Sequence, residues 1–225
     1  MPGKNIKDFL GKPLLAWTIE AAKASGVFDR LILMTDDEKI AEVGRKYGAE
    51  VPFMEPKEFG QDNVYVAEPL KYTLKRLKEE ENFSPDFFVL LEPSCPGRIP
   101  KHIQEVVEIF KNSDADSIAA ASEIPARFNP AKALKIFGDN ELRHFSGTLI
   151  KDLTHQNQKI EKLYYINSAI YAFKTKNLFE ENPNLWGSKV LYYPMDLKYA
   201  SDIDTFEDWE LAEVKMKKLL EEKTG

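Results

Sequence analysis

The chain has 225 residues, 43% of them apolar and 30% charged, with a formal net charge of −6, enough for one ordinary domain, or one domain with an insertion, around a real core. The acidic balance argues against nucleic-acid binding, which calls for a basic stripe against the phosphates, and no apolar run approaches the roughly 20 residues of a membrane span. Cys95 is the single cysteine and has no intrachain disulfide partner; with no signal peptide ahead of the first helix, the expected location is the cytoplasm.

The chain opens Met1-Pro2-Gly3-Lys4-Asn5-Ile6, where the Gly-rich phosphate loop of an α/β nucleotide-binding protein would be ending. Leu14, Leu15, Trp17, Ile19, Ala21 and Ala22 form an apolar stripe at helical spacing, started by Pro13 and stopped at Gly26. The run Arg30-Leu31-Ile32-Leu33-Met34-Thr35 predicts a strand, and Glu38 to Tyr47 a second helix ended by Gly48. The unit recurs as a helix over 64–80, a strand over 87–91, a helix over 99–111 and a strand over 117–121. Strands alternating with helices at this spacing predict an α/β fold, a doubly wound and mostly parallel sheet covered on both faces.

The rhythm breaks after Pro125. Residues 126–163 are polar and weakly periodic, with short strands expected at 133–137 and near Leu149, and they read as an insertion in a single domain spanning 1–225. Regular structure resumes with strands at 163–173 and 189–193. The last helix covers 205–222, with Phe206, Trp209, Leu211, Val214 and Leu219 as its expected core contacts.

In doubly wound sheets ligands bind at the carboxyl ends of strands. Thr35-Asp36-Asp37 and Glu92-Pro93-Ser94-Cys95-Pro96-Gly97-Arg98 lie at two such ends; each also reads as a capped helix start. In Ser201-Asp202-Ile203-Asp204 two carboxylates one residue apart on an extended segment point the same way and suit one hard cation such as Mg²⁺. The competing reading has Asp204 cap the following helix. Trp17 and Trp209 fit the core better than a stacking site. His102, His144 and His155 lack the spacing of a zinc site, and Cys95, without a nearby His, does not read as a nucleophile.

These segments together resemble the acylneuraminate cytidylyltransferases, or CMP-sialic acid synthetases, from the first residue to about Leu211. The resemblance is carried by Lys4-Asn5-Ile6, Gly11-Lys12-Pro13-Leu14, Trp17-Thr18-Ile19-Glu20-Ala21-Ala22, Thr35-Asp36-Asp37-Glu38-Lys39-Ile40-Ala41 and Tyr47-Gly48-Ala49-Glu50-Val51-Pro52-Phe53. It continues in Pro93-Ser94-Cys95-Pro96-Gly97-Arg98, Asn167-Ser168-Ala169-Ile170-Tyr171 and Asp202-Ile203-Asp204-Thr205.

The resemblance implies a Rossmann-like nucleotidyltransferase that transfers CMP from CTP to the anomeric hydroxyl of a 2-keto sugar acid of sialic, legionaminic or pseudaminic type, releasing pyrophosphate. It implies Mg²⁺ on Asp202 and Asp204, Lys4 on phosphate, and Asn5 and Asp62 at the nucleotide. On the sugar side it points to Glu92, Ser94, Arg98, Gln158, Asn167 and Tyr171. Lys135 is a further positive charge for the substrate carboxylate, unless it is a solvated lysine on an edge strand.

The family usually has glutamine at Glu92, a larger apolar residue at Gly97, and arginines at Asn157 and Tyr165. An anionic Glu92 would repel a sugar carboxylate. The resemblance further implies a homodimer in which 126–163 reaches over the partner's site. It also implies that a central strand and most of the phosphate loop lie ahead of Met1. Two other readings stand beside this one: a truncated or catalytically impaired homologue, and a metal-dependent glycosyltransferase that uses Asp202-Ile203-Asp204.

Overall fold

The computed structural model describes residues 1–60, 64–153 and 161–224. A short 3₁₀ turn at Lys4–Ile6 leads into a small hairpin of β1 (Asp8–Phe9) and β2 (Lys12–Pro13), then helix α1 (Leu14–Ser25). Pro13 sits at the helix entrance, and Gly26, at φ 66°, closes the far end in the left-handed conformation that glycine adopts without penalty. Helix α2 (Glu38–Tyr47) starts on the Asp37 side chain, which accepts the Lys39 N–H. Then come α3 (Ala67–Glu81), β3 (Phe87–Leu90), α4 (Pro100–Lys111), β4 (Ser117–Glu123), β5 (Leu134–Phe137), β6 (Glu141–His144), β7 (Tyr164–Lys174), β8 (Val190–Pro194) and α5 (Phe206–Thr224).

The main sheet has the order β3-β7-β4-β8. Its directions are mixed: β7 runs antiparallel to β3 and β4, and only β4 and β8 are parallel. The expectation of a mostly parallel sheet came from helical crossovers, which force parallel neighbours. Between β4 and β7 the chain turns instead through the β5–β6 hairpin, and so returns antiparallel.

Strand alternation divides the core. Phe87 and Val89 face a cluster with Ile118, Ala120, Ile170 and Ala172, covered by Ala21 and Ala22 of α1 and by Ile103, Val106 and Phe110 of α4. Phe88 and Leu90 face the other side, with Phe173 and with Leu70 and Leu74 of α3. Each large buried side chain contributes about 1.5–3 kcal/mol of transfer free energy.

Three expectations need correction. Arg30–Thr35 is extended, but only Ile32 bridges, to Glu50, so the segment is paired along one edge. No strand forms near Leu149; a 3₁₀ turn covers Ile150–Asp152, and the hairpin partner of β5 is β6. On α5 the buried stripe is Trp209, Ala212, Met216 and Leu219, while Phe206, Leu211 and Val214 are exposed. Among the described residues no helix is long and apolar enough to cross a membrane.

Candidate active site

Two loops at strand ends build the site. Leu91–Arg98 follows β3, and 195–205 joins β8 to α5. A backbone hydrogen bond ties them together, with the Ile203 N–H donating to the Ser94 carbonyl at 3.1 Å. Ile203 is fully buried against Phe9, Leu14 and Trp209, which turns the carboxylates on either side of it outward.

Asp204 does not cap α5. That task falls to Thr205, whose hydroxyl accepts the Asp208 N–H at 3.1 Å while the Asp208 carboxylate accepts the Thr205 N–H at 2.9 Å. Asp204 is thereby left to Lys4, whose ammonium donates to Oδ1 at 2.9 Å and to the Ile203 carbonyl at 2.6 Å. Their side chains are 74% and 23% exposed, and a pair in that setting adds no more than about 1 kcal/mol. Its consequence is placement: a cation and two carboxylates share one rim.

Beneath the rim lies a buried charge. Arg98 is almost wholly enclosed; one guanidinium nitrogen donates to the carbonyls of Glu92 and Cys95, and Nε and Nη1 have no partner. Burial pulls its pKa down to about 10. Burial likewise pushes the Glu92 carboxyl up, opposed by Arg98 and reinforced by Asp202. Burial pushes the enclosed Cys95 thiol up to about 12, which disfavours its thiolate.

A wall of the site comes from an irregularity in β7. Between the Ala119–Tyr171 and Ala121–Ile166 pairs the register shifts, and Ser168 takes a positive φ of 59°. The Asn167 amide donates to the Ser122 hydroxyl at 2.9 Å, its oxygen accepts the Ala169 N–H, and its carbonyl receives the Cys95 thiol. Asn167 therefore props the wall from within. Burial, with a smaller contribution from the Asp202 charge, raises the Tyr165 and Tyr171 phenols.

The expected residues Lys4, Glu92, Ser94, Arg98, Asn167, Tyr171, Asp202 and Asp204 thus come together, with Ser94 and Asn167 as buried supports. Asn5 sits half-buried in the 3₁₀ turn beside Lys4. Lys135 stands apart, exposed on β5 with its ammonium 5.5 Å from the Phe137 ring. Asp62 and Gln158 lie outside the described residues. Sequence reasoning did not assign Ser122 a place in the wall; a serine in an alanine-rich strand carries no pattern that marks it.

A mixed sheet with helices on both faces makes this an α/β protein, and its candidate site sets carboxylates beside a lysine at the strand ends. The cytidylyltransferase family model matches residues 1–222, and the chain belongs to that family. It is 31% identical over 218 residues to a pseudaminic acid cytidylyltransferase of Campylobacter jejuni, covering 95% of this chain and 89% of that one. A CMP-N,N'-diacetyllegionaminic acid synthase of Legionella pneumophila is 31% identical over 220 residues, with the same coverage. A solved CMP:2-keto-3-deoxy-manno-octonic acid synthetase complexed with CTP matches with a TM-score of 0.69 at 15% identity, covering 97% of this chain and 93% of that one, which supports the fold.

Proposed function

We propose that this protein transfers CMP from CTP to the anomeric hydroxyl of a 2-keto sugar acid of pseudaminic, legionaminic or sialic type, releasing pyrophosphate. The observation that carries the reading is the outward pair Asp202 and Asp204 beside Lys4, in a chain whose similar relatives bear the names of such enzymes. The donor set suits a divalent ion: two hard oxygen ligands on one rim, with the remaining positions left to substrate phosphates and water, as Mg²⁺ prefers. Bound there, Mg²⁺ would neutralise triphosphate charge. Lys4 supplies a fixed positive charge, Asn5 offers an amide to the nucleotide, and Asp62 completes the nucleotide side.

In the proposed reaction the sugar's anomeric oxygen forms the new bond to the α-phosphorus while the bond to pyrophosphate breaks. Little covalent work falls to the protein, and positioning supplies most of the rate. Glu92, Ser94, Arg98, Asn167 and Tyr171 shape the sugar side, with Gln158 and Lys135 completing it. Glu92 stands where the family usually has glutamine, and its carboxyl oxygens can accept hydrogen bonds from sugar hydroxyls.

We extend the proposal to a homodimer. Phe128 (67% exposed), Ile136 (64%), Leu142 and Phe145 stand open on the 126–163 segment. A second copy covering them would bury apolar surface and could bring Lys135 to the partner's site. A cytoplasmic location accords with the free thiol of Cys95 and with CTP as co-substrate.

Incubation with CTP, Mg²⁺ and a panel of 2-keto sugar acids tests the reading. Sugar-dependent pyrophosphate release is expected. Consumption of a CMP-sugar only in the presence of an acceptor would replace the proposal with a glycosyltransferase, and nucleotide binding without turnover would point to an impaired homologue.

A further inference from the structure

The loop that carries Asp202 and Asp204 leaves the sheet at Met195, whose N–H donates to the Ala121 carbonyl at 2.9 Å. It then turns on itself. The Tyr199 N–H donates to the Asp196 carbonyl, and the Ala200 N–H to the Leu197 carbonyl. Helix α5 reaches back to the end of this turn with one side chain, Lys215. Its ammonium donates to the Ala200 carbonyl at 2.7 Å and to the Leu197 carbonyl at 3.3 Å.

Two features set Lys215 apart from the lysines around it. Lys198 and Lys217 pair with Glu222 and Glu213, whereas Lys215 has no ion-pair partner among the described residues, and burial alone pulls its pKa down. It is also half-buried. Withdrawing a charge from water without a counter-ion is unfavourable, and charge-assisted bonds to carbonyls offset part of that. Helix α5 does not depend on them for anchorage, because Trp209, Ala212, Met216 and Leu219 already seat it in the core. What the ammonium fixes is the loop. The Ile203 N–H is held by Ser94 at 3.1 Å and the Ala200 carbonyl by Lys215, so only Ser201 and Asp202 lie between two fixed points.

We infer that Lys215 is a positioning residue for the divalent ion: it touches neither ion nor substrate, and it sets where the carboxylates of Asp202 and Asp204 stand. The inference rests on the reading of that rim given above.

Titration of the full chain with Mn²⁺ alone, followed through the EPR signal of the free ion, tests it. Asp204→Asn reports whether the ion sits on the rim. Lys215→Met keeps the length of the stem and removes the donors. Ile19→Ala, in a separate cluster with Leu15 and Ala49, is a control for lost stability. Lys215→Met should raise the Mn²⁺ dissociation constant at least about tenfold and speed amide exchange at Ile203, with exchange at Ala212 and Met216 as in the wild type. Ile19→Ala should bind as the wild type does. Mn²⁺ affinity within twofold of wild type in Lys215→Met would overturn the inference alone, as would an equal loss in Ile19→Ala. A wild type that does not bind Mn²⁺, or an Asp204→Asn variant that binds it unchanged, would remove the reading of the rim and this inference with it.

Discussion

Single residues decide what the site tolerates. A Cβ on Gly97 would fall on the Tyr199 backbone carbonyl, so the small residue reflects a close approach of two loops. Gly97→Leu should destabilise by about 1–3 kcal/mol in chemical denaturation; a wild-type midpoint would show that the loops separate freely. Glu92→Gln should change the ratio of kcat/KM between two sugar acids several-fold, whereas identical profiles would remove Glu92 from sugar recognition. Glu55 is held up at about 6 by burial and by Asp36. Because its folded-state pKa lies above the unfolded value of 4.5, the stability linked to its proton is present at low pH and is lost as pH rises through that window. Glu55→Gln should therefore gain on the order of 1 kcal/mol near pH 7.5, after allowance for solvent screening, and little near pH 4. Equal gains at both pH values would contradict the linkage. The Asp-X-Asp pair was visible in the sequence because its spacing is local. Arg98's burial and the Ser122–Asn167 support were not, because they depend on loops far apart in the chain.

Whole elements were read well where the signal lies within one segment. The α2 boundaries follow directly from Asp37 and Gly48, and the alternating faces of β3 from its apolar run. What failed depends on partners. Residues 30–35 have strand character but pair along one edge, and β7 is antiparallel because a hairpin, and no helix, precedes it. On α5 an all-round distribution of apolar residues concealed the phase of the buried stripe. Met216→Ala should cost about 2–5 kcal/mol and Leu211→Ala less than about 0.5 in thermal or denaturant unfolding; the reverse ranking would restore the phase expected from sequence.

At the level of the molecule, the fold brings the Lys4 turn, the loop after β3 and the loop before α5 to one rim, and leaves an apolar hairpin segment exposed. If that segment is a dimer surface, sedimentation should give twice the chain mass, and the double change Ile136→Glu and Phe145→Glu should return the monomer. A wild-type monomer at every accessible concentration would contradict it. The most direct measurement of the account as a whole is the initial rate of pyrophosphate release with CTP, Mg²⁺ and a pseudaminic-type sugar acid, for the wild type and for Asp202→Asn and Asp204→Asn. The prediction is a rate that needs all three components and falls at least about 100-fold in each variant, or some 2.7 kcal/mol of transition-state stabilisation, with unfolding midpoints unchanged. Variants as fast as the wild type would contradict the assignment of that rim as the reacting site.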